Sequence, residues 1–329
     1  MTTLVTGATG HLGANLVRAL LVNGEKVRVF VRPDSELTAV DGLDVEHAVG
    51  DLRDRHSIKE AVKGVDKLYH TAAFVSIRSG DRQELFETNV LGTRYLMQEA
   101  RHAGVKRVVH TSSFGAVGIN PNGASNEKWT VSPFELASDY ERTKAVSEQE
   151  VLLEAVRGLD ITLVNPAGIV GPWDFRPSLL GRTILDFAHG KMPAYVPGAF
   201  DFVPVRDVVA AELLAMEKGR RGERYLVTGE YRTINEILDW LQELTGCQRP
   251  NKAIPPQLMQ YLALIKDPIE RRFFPNKAPR FNYHSIRLLN SGKRADMTRI
   301  QRELGFVPTS TKQAFAEAVA WFRDAGMIH

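Results

Sequence analysis

The N-terminal stretch constrains the fold of this chain most, because a short strand, a glycine-rich turn and a helix follow one another directly. Thr2–Thr6 is apolar and β-branched, Gly7-Ala8-Thr9-Gly10-His11-Leu12-Gly13 comes next, and apolar residues then recur at helical spacing as far as Asn23. In such a turn the first glycine permits the sharp bend, the second lets the backbone approach a pyrophosphate, and the third lets the helix pack on the strand. A turn without a ligand is the alternative, but the position after the first strand predicts a dinucleotide-binding unit.

The residues after the second predicted strand indicate which dinucleotide the chain binds. Where NAD-binding units carry an acidic residue that binds the ribose hydroxyls, this chain has Val31 and then Arg32. A guanidinium can pair with a 2′-phosphate, and no carboxylate is present at this position to repel one. We therefore expect NADP(H) as the cofactor; the alternative is that Arg32 is simply exposed at a strand end.

Strands and helices alternate with short connections through the first half of the chain, which predicts an α/β fold with a doubly wound parallel sheet. The predicted strands are 2–6, 26–31, 43–48, 67–73, 107–112 and 161–164. A ligand of such a sheet lies outside the carboxyl ends of the strands. Five candidate site residues follow those ends, namely Gly7, Asp51, Ala72, Ser113 and Asn165. Asp51 can accept a hydrogen bond from an adenine amino group, or it can cap the helix expected near Ser57.

The strict alternation breaks after residue 172. Prolines interrupt a series of predicted helices at 232–245, 255–266, 295–304 and 311–325. We therefore predict two domains. Residues 1–171 and 202–230 form a Rossmann domain that binds NADP, and residues 172–201 and 231–329 form a smaller C-terminal α/β lobe that binds the substrate.

Ser113, Tyr140 and Lys144 form the candidate reaction centre. Ser113 ends the fifth strand, and Tyr140 and Lys144 are four residues apart at the start of a predicted helix, so their side chains share one face. A free phenol titrates at about pH 10, and moving its pKa to about 7 requires roughly 4 kcal/mol, part of which a nearby ammonium can supply. Because Tyr and Lys at this spacing also occur by chance on surface helices, the motif gains its weight from the dinucleotide turn before it.

Composition and charge argue against several other classes of function. The net charge of +3 over 329 residues, without a basic cluster interleaved with aromatic residues, argues against nucleic acid binding. The single Cys247 excludes an internal disulfide, and no cluster of His, Asp or Glu near it indicates a metal site. The N-terminus has no basic and apolar leader and no apolar run reaches membrane length, so we expect a cytoplasmic protein without a membrane partner.

Together the motifs resemble the extended short-chain dehydrogenase/reductase family of the NAD(P)-dependent epimerase/dehydratase superfamily. The matching segments follow the family's order over nearly the whole chain: Thr6 to Gly13, Asp51-Leu52, Asn89-Val90-x-Gly-Thr93, Ser113, Tyr140-x-x-x-Lys144, Asn165-Pro166, Gly171-Pro172 and Arg302 to Phe306. The resemblance implies that Tyr140 is the acid/base, that Lys144 holds the nicotinamide ribose and lowers the Tyr140 pKa, and that Ser113 rather than Ser112 orients the substrate oxygen. It also implies a homodimer packed through the helices at about 84–103 and 139–157.

The resemblance further implies which residues contact the cofactor. They are Gly7, Thr9, Gly10, His11, Leu12 and Gly13 in the turn, Arg32, Asp51, Leu52, Thr71, Ala72 and Ala73 after the next three strands, Tyr140 and Lys144, and Asn165, Pro166 and Ala167 after the sixth strand. Within the family, Arg32-Pro33 and Asn165-Pro166 look most like the dihydroflavonol-reductase-like and hopanoid-associated branches. Sugar dehydratases carry an Asp-Glu pair where this chain has Phe114-Gly115, which argues against dehydration chemistry.

We therefore predict an NADP(H)-dependent ketone or aldehyde reductase that transfers hydride between nicotinamide and a carbonyl or secondary alcohol of a small molecule. Aromatic residues, although more often core, favour an apolar or aryl substrate: Phe74, Phe114, Trp129, Phe134, Trp173, Phe175, Phe200 and Phe202. One alternative is a nucleotide-sugar epimerase with tightly bound NAD(P), for which Arg78, Arg176 and Arg280 supply cations without forming a motif. Another is a non-catalytic NADP(H)-sensing protein, which the presence of both Tyr140 and Lys144 argues against.

Overall fold

A seven-stranded parallel sheet lies at the centre of the molecule, in a computed structural model that describes residues 1–76, 80–261, 286–287 and 289–328. Its strands are β1 (Thr2–Thr6), β2 (Lys26–Val31), β3 (Val45–Val49), β4 (Lys67–His70), β5 (Arg107–Thr111), β6 (Ile161–Pro166) and β9 (Arg224–Val227). They lie in the order β3-β2-β1-β4-β5-β6-β9, and every neighbouring pair is parallel. The predicted doubly wound sheet is therefore confirmed.

Helices cover both faces of this sheet. On one face lie α1 (His11–Val22), α7 (Val205–Lys218) and α9 (Thr298–Leu304), and on the other lie α2 (Arg55–Ala61), α4 (Thr93–His102) and α5 (Asp139–Val156). Each face has its own apolar core, the first around Leu16 and Val208 and the second around Leu96 and Val151. Within the described residues, no helix combines the length and apolar character needed to cross a membrane.

A three-stranded sheet with its own helices forms a smaller lobe. Its strands are β7 (Gly168–Val170), β8 (Ala199–Pro204) and β10 (Glu230–Thr233), in the order β10-β8-β7. Around them pack α6 (Leu179–Ala188), α8 (Ile234–Thr245) and α10 (Thr311–Asp324), with Phe202, Phe315 and Phe322 in the shared core. Most of these elements fall in the segments predicted for a substrate lobe, although the division into two domains stays a prediction.

The lobe is also where the predicted elements differ most from the observed ones. The strands β7 and β10 have no predicted counterpart, because the first is very short and the second consists of polar, half-exposed residues without apolar alternation. The predicted helices at 232–245, 295–304 and 311–325 correspond to α8, α9 and α10. Of the predicted helix at 255–266, residues 256–261 are helical and the rest lie outside the described residues.

Candidate active site

Three glycines shape the turn between β1 and α1, and the steric demand on each is different. Gly7 has a φ of +77°, and a Cβ there would lie 2.7 Å from the Ala72 nitrogen. A Cβ on Gly13 would lie 2.1 Å from the Gly7 oxygen, so only glycine lets α1 pack this close to the turn. A Cβ on Gly10 would meet only the Gly7 oxygen, at 3.3 Å, and its other side is open.

The turn fits the pyrophosphate of a dinucleotide. The open side of Gly10 allows a ligand to approach the backbone, and Gly10 precedes the first turn of α1, which has no side-chain cap. Uncapped N–H groups at a helix N-terminus bind anions, and the helix dipole favours the negative charge. These two observations agree with the role predicted for Gly7–Gly13.

The end of β4 lies beside the turn, where Thr71, Ala72 and Ala73 are predicted to contact the cofactor. The Thr71 hydroxyl donates to the Thr6 oxygen at 2.8 Å, and the Ala72 amide donates to the Thr6 hydroxyl at 3.3 Å. These bonds fix the strand end against β1.

Three other predicted cofactor contacts use their side chains elsewhere. Leu12 and Leu52 pack into the two apolar cores, which leaves their backbone atoms for a ligand. The His11 ring is 3.1 Å from the Pro172 oxygen, so it ties α1 to the segment after β7.

Asp51 and Arg32 lie at the carboxyl ends of β3 and β2, where the fold places the adenosine end of a dinucleotide. The Asp51 carboxylate accepts two hydrogen bonds from the Arg53 guanidinium, at 3.0 and 2.7 Å, and these hold the pKa of Asp51 below its ordinary value. Asp54 caps α2, so the alternative that Asp51 is the helix cap is wrong. Arg32 is exposed and its guanidinium lies 3.8 Å from the Asp34 carboxylate.

Ser113 and Tyr140 meet at the carboxyl end of β5. Ser113 begins a 3₁₀ turn at Phe114–Ala116, and its Oγ accepts a hydrogen bond from the Gly115 amide at 3.0 Å. Burial raises the pKa of Tyr140 to about 12, although a hydrogen bond with Ser113 acts in the opposite direction. Ser112 is buried, and its hydroxyl has no hydrogen-bond partner among the described residues. The geometry therefore agrees with the choice of Ser113 over Ser112.

Lys144 lies one turn further along α5, with only 2% of the residue exposed. Its ammonium donates to the Thr111 oxygen at 2.7 Å. Burial lowers the pKa of Lys144 to about 8, against the opposing effect of two buried glutamates. The ammonium is bonded to the backbone, and burial is the main influence on the phenol, so the role of Lys144 in lowering the Tyr140 pKa stays a prediction.

The two glutamates belong to a buried polar layer beneath Lys144 that the sequence pattern does not indicate. Glu212, on α7, accepts a hydrogen bond from the Thr111 hydroxyl at 2.7 Å, and burial raises its pKa to about 8. Glu148, on α5, accepts from the Asn165 amide at 2.6 Å and lies 3.2 Å from the Arg224 guanidinium. The predicted cofactor contact Asn165 is fully buried, so its side chain serves this layer.

Two histidines complete the layer as neutral rings. The nitrogens of His70 lie 2.7 and 3.0 Å from the hydroxyls of Thr6 and Thr93, and burial lowers its pKa to about 3. The His110 ring is centred 5.0 Å from that of His70, and burial lowers its pKa as well, with a further contribution from the charge of Lys144. Both rings are neutral near pH 7, so neither places a like charge beside the ammonium.

Asn89 fixes the segment after β4. Its side chain accepts a hydrogen bond from the Phe74 amide at 2.8 Å and donates to the Phe74 oxygen at 2.9 Å and to the Thr143 hydroxyl at 3.2 Å. It lies in a π-helical stretch at Glu87–Gly92, between α3 (Arg82–Phe86) and α4, where a single helix at 84–103 is predicted. Such stretches are frequent at functional sites.

Lys293 brings the C-terminal part of the chain into the site. Its ammonium donates to the Phe114 oxygen at 2.7 Å and to the Val117 oxygen at 2.5 Å, and lies 4.4 Å from the centre of the Phe114 ring. Burial lowers the pKa of Lys293 to about 8. Lys293 thus closes the turn that Ser113 begins. No sequence signal marks it, because 179 and 176 positions separate it from the two residues it binds.

The aromatic residues proposed for a substrate pocket mostly have other surroundings. Phe114 and Phe202 are buried in apolar cores, and Phe175 packs against Trp321 with ring centres 5.1 Å apart. Phe134 is 92% exposed. Their positions therefore give no specific support to an aryl substrate.

Of the three arginines considered as cations for the diphosphate of a nucleotide sugar, one is among the described residues. Arg78 and Arg280 lie outside the described residues, and Arg176 is exposed. In the described part of the chain, no group of three or more His, Cys, Asp or Glu is arranged to hold a metal ion.

The chain is similar over its whole length to known proteins. The model of the NAD dependent epimerase/dehydratase family matches residues 3–228. A sterol demethylase protein B of Methylococcus capsulatus is 77% identical over 328 residues, which is 100% of each chain. A putative dihydroflavonol 4-reductase of Synechocystis is 36% identical over 98% of this chain and 95% of that protein. The solved structure of gox2253 has a TM-score of 0.87 at 35% identity and covers 100% of this chain and 99% of that one.

Proposed function

Because the chain belongs to the NAD dependent epimerase/dehydratase family, with the fold of the extended short-chain dehydrogenases/reductases, we propose that it uses NADP(H) to interconvert the hydroxyl group of a sterol and the corresponding ketone. The motifs predict this family correctly, and together with the similarity to a putative dihydroflavonol 4-reductase the family identifies the chain as an oxidoreductase. The observation that carries the proposal is the contact between Ser113 and Tyr140, with Lys144 one helical turn away, beside a turn that fits a dinucleotide.

In the reducing direction, Tyr140 and Ser113 act on the carbonyl oxygen of the substrate. The nicotinamide, when bound, supplies the hydride. Tyr140 donates its proton to the carbonyl oxygen, and a pKa of about 12 keeps the phenol protonated near neutral pH. The Ser113 hydroxyl donates a second hydrogen bond to the same oxygen and polarises the carbonyl.

Lys144 positions the cofactor rather than reacting. Its ammonium has three N–H donors and uses one on the Thr111 oxygen, which leaves two for the ribose hydroxyls. The carboxyl groups of Glu148 and Glu212 favour the charged form of this buried amine. The backbone bond also prevents the ammonium from swinging away from the strand end.

The sterol class rests on the 77% identity to a sterol demethylase protein B. A sterol is an almost entirely apolar ring system with one hydroxyl group, which agrees with the predicted apolar substrate. A ketone stabilises negative charge on a neighbouring carbon, so conversion of that hydroxyl to a ketone is a step that the removal of a carbon substituent can use. The aryl alternative has no comparable support.

The preference for NADP(H) rests on Arg32 and on the apolar Val31 beside it. A guanidinium at the end of β2 can pair with the 2′-phosphate, and Val31 supplies no carboxylate for the ribose hydroxyls.

We also propose a cytoplasmic homodimer with the interface on α4 and α5. On α5, Leu153 and Val156 are 44% and 82% exposed, which is unusual for large apolar residues on a helix that also packs on the sheet. The unpaired Cys247 agrees with a reducing compartment. Light scattering on the purified protein measures the mass directly, and a monomeric mass contradicts the dimer.

The decisive test of the function is a matrix of cofactors and substrates with the purified protein. We expect oxidation of NADPH, and much less of NADH, with a 3-ketosteroid, and none with a nucleotide sugar. Tyr140→Phe should lower kcat by about 10²–10⁴-fold while NADPH binding is retained, because the phenyl ring fills the same space without the proton. Full activity of Tyr140→Phe contradicts the mechanism. NAD that co-purifies tightly, with activity on nucleotide sugars alone, favours the epimerase alternative.

A further inference from the structure

A cavity of about 180 Å³ lies beside the dinucleotide turn. Its lining includes Thr9 of the turn, Thr38 and Ala39 of the loop after β2, and Phe175 and Arg176 of the segment after β7. The cavity thus lies between two regions that are predicted to contact the cofactor, the glycine turn and the loop that begins at Arg32.

Among the described residues that line this cavity, Arg176 is the one cation. The residue is exposed, and its guanidinium has no hydrogen bond or ion pair with the residues that the structure describes. Its five N–H donors are therefore available to a ligand. Thr9 and Thr38 also line the cavity, and each carries a hydroxyl group.

The segment that carries Arg176 is held tightly against α1. The Pro172 oxygen accepts a hydrogen bond from the Asn15 amide at 2.9 Å in addition to its contact with His11. Trp173 has a φ of 64°, a left-handed conformation that is strained for a residue with a side chain. Surrounding contacts must outweigh this strain, so the path of the segment is specified by the fold.

The contacts of one side chain connect two walls of the cavity. The Arg18 guanidinium donates to the Ala39 oxygen at 2.9 Å, and it also lies 4.1 Å from the Trp173 ring centre and 5.3 Å from the Phe175 ring centre. Arg18 therefore connects the loop after β2 to the segment that carries Arg176. A site whose walls are fixed in advance loses less entropy when a ligand binds.

We propose that this cavity binds the 2′-phosphate of NADP(H), with Arg176 as its cation and Thr9 and Thr38 as hydroxyl donors. The inference rests on the proposed NADP(H) preference and adds a residue from a distant part of the chain to Arg32. The planar guanidinium suits a phosphate because it can donate two parallel hydrogen bonds. Glu36 also lines the cavity, and its charge opposes the phosphate. Neutralising Arg176 should therefore weaken binding of the 2′-phosphate, and neutralising Glu36 should strengthen it.

Calorimetric titration with 2′,5′-ADP and 5′-ADP tests this assignment without any turnover. Arg176→Gln should weaken 2′,5′-ADP binding about tenfold or more and leave 5′-ADP unchanged, because only the first ligand carries the 2′-phosphate. Glu36→Gln should tighten 2′,5′-ADP binding a few-fold. The exposed Arg182, on α6, provides the matched control, and Arg182→Gln should change neither affinity. Thermal unfolding of each variant verifies that the fold is intact.

Each contrary outcome has a distinct meaning. If Arg176→Gln weakens both ligands equally, the residue binds the pyrophosphate and the 2′-phosphate assignment is overturned. If it weakens neither while the wild type still prefers 2′,5′-ADP, the cavity is not the phosphate site, although the NADP(H) preference stands. If the wild type binds the two ligands equally, both the preference and the cavity assignment fail.

Discussion

The dinucleotide turn and the Ser113–Tyr140–Lys144 centre are held in shape in different ways. The turn is fixed within one short segment by close packing of backbone atoms, most severely where Gly13 meets the Gly7 oxygen. The centre depends on distant partners, since Lys144 rests on Thr111, whose hydroxyl binds a glutamate 101 positions away, and Lys293 closes the turn at Ser113. Adding a methyl group should therefore disturb the dinucleotide turn. Removing a hydrogen-bond donor or a charge should disturb the Ser113–Tyr140–Lys144 centre.

The largest effect is expected at the centre, where Ser113 is tested and its neighbour Ser112 serves as the control. Ser113→Ala removes a hydroxyl that contacts Tyr140, so kcat should fall about 10²–10³-fold with little change in NADPH affinity. Ser112→Ala should stay within about twofold of wild type, because its buried hydroxyl makes no hydrogen bond with the described residues. Steady-state kinetics and nicotinamide fluorescence measure the two quantities. A larger loss in Ser112→Ala than in Ser113→Ala would show that the wrong serine has been assigned, and equal losses would contradict a specific role of Ser113.

Two glycine variants test the turn, one for its effect on stability and the other for its effect on cofactor binding. Gly13→Ala places a methyl group 2.1 Å from the Gly7 oxygen, so we expect a loss of about 3 kcal/mol in the free energy of unfolding. The methyl group of Gly10→Ala meets only the Gly7 oxygen, at 3.3 Å, so a small shift relieves the contact and the loss should stay below about 1 kcal/mol. The same methyl group occupies the open side that we assign to the ligand. We therefore expect Gly10→Ala to weaken NADPH and NADH alike, by about tenfold.

Urea unfolding and cofactor titration separate the two glycine effects. If Gly10→Ala leaves both cofactor affinities unchanged, the pyrophosphate does not approach the backbone at this glycine. If Gly13→Ala is as stable as wild type, the turn relaxes and its shape is less fixed than the packing indicates.

The same contrast explains what the sequence predicts well. The strand, turn and helix at residues 2–22 follow from local spacing, and the alternating segments predict the sheet, because these signals lie within a few residues of one another. The partners of the Lys144 ammonium are not predicted, since spacing within α5 places the side chain on a face but does not reveal Thr111 or Glu212. Lys293 is missed for the same reason. Short polar strands such as β10 are missed because pairing with β8, not an apolar pattern, forms them.

Lys293 offers a direct way to weaken the centre without touching the reacting groups. Lys293→Met keeps the long side chain but leaves the buried oxygens of Phe114 and Val117 without their donor, which should cost about 1–3 kcal/mol of stability. The turn at Ser113 then loses its closing contact, and kcat should fall about tenfold to a hundredfold with KM for NADPH nearly unchanged.

A conservative variant and an exposed lysine complete this experiment. Lys293→Arg keeps the donors and the charge and should retain a higher kcat than Lys293→Met. Lys128→Met changes an exposed lysine in the segment between the Ser113 turn and α5 and should leave kcat unchanged. If Lys293→Met loses stability but keeps full kcat, the lysine serves the fold alone.

The effect expected to be smallest at any single pH step concerns the charge of the polar layer and appears only as a pH dependence. Glu212 has an ordinary pKa of 4.5 and a folded-state pKa raised to about 8 by burial, partly offset by Thr111 and Lys144. Between these values the folded protein keeps a proton that the unfolded chain has released, so this group's contribution to stability falls as the pH rises through that window. Gln cannot release a proton. The free energy of unfolding of Glu212→Gln should therefore rise relative to that of wild type between pH 5 and pH 8, by at most about 1.4 kcal/mol per pH unit.

Urea unfolding of wild type and variant at four pH values from 5 to 8 measures this difference. Glu217→Gln is the matched control, because Glu217 lies on the same helix and is exposed, and its difference from wild type should not change with pH. A flat difference for Glu212→Gln as well would mean that Glu212 is already ionised in the folded state. Glu212 and Lys144 would then form a buried ion pair. The centre would in that case depend on buried charge, whereas the glycine turn depends on the packing of backbone atoms.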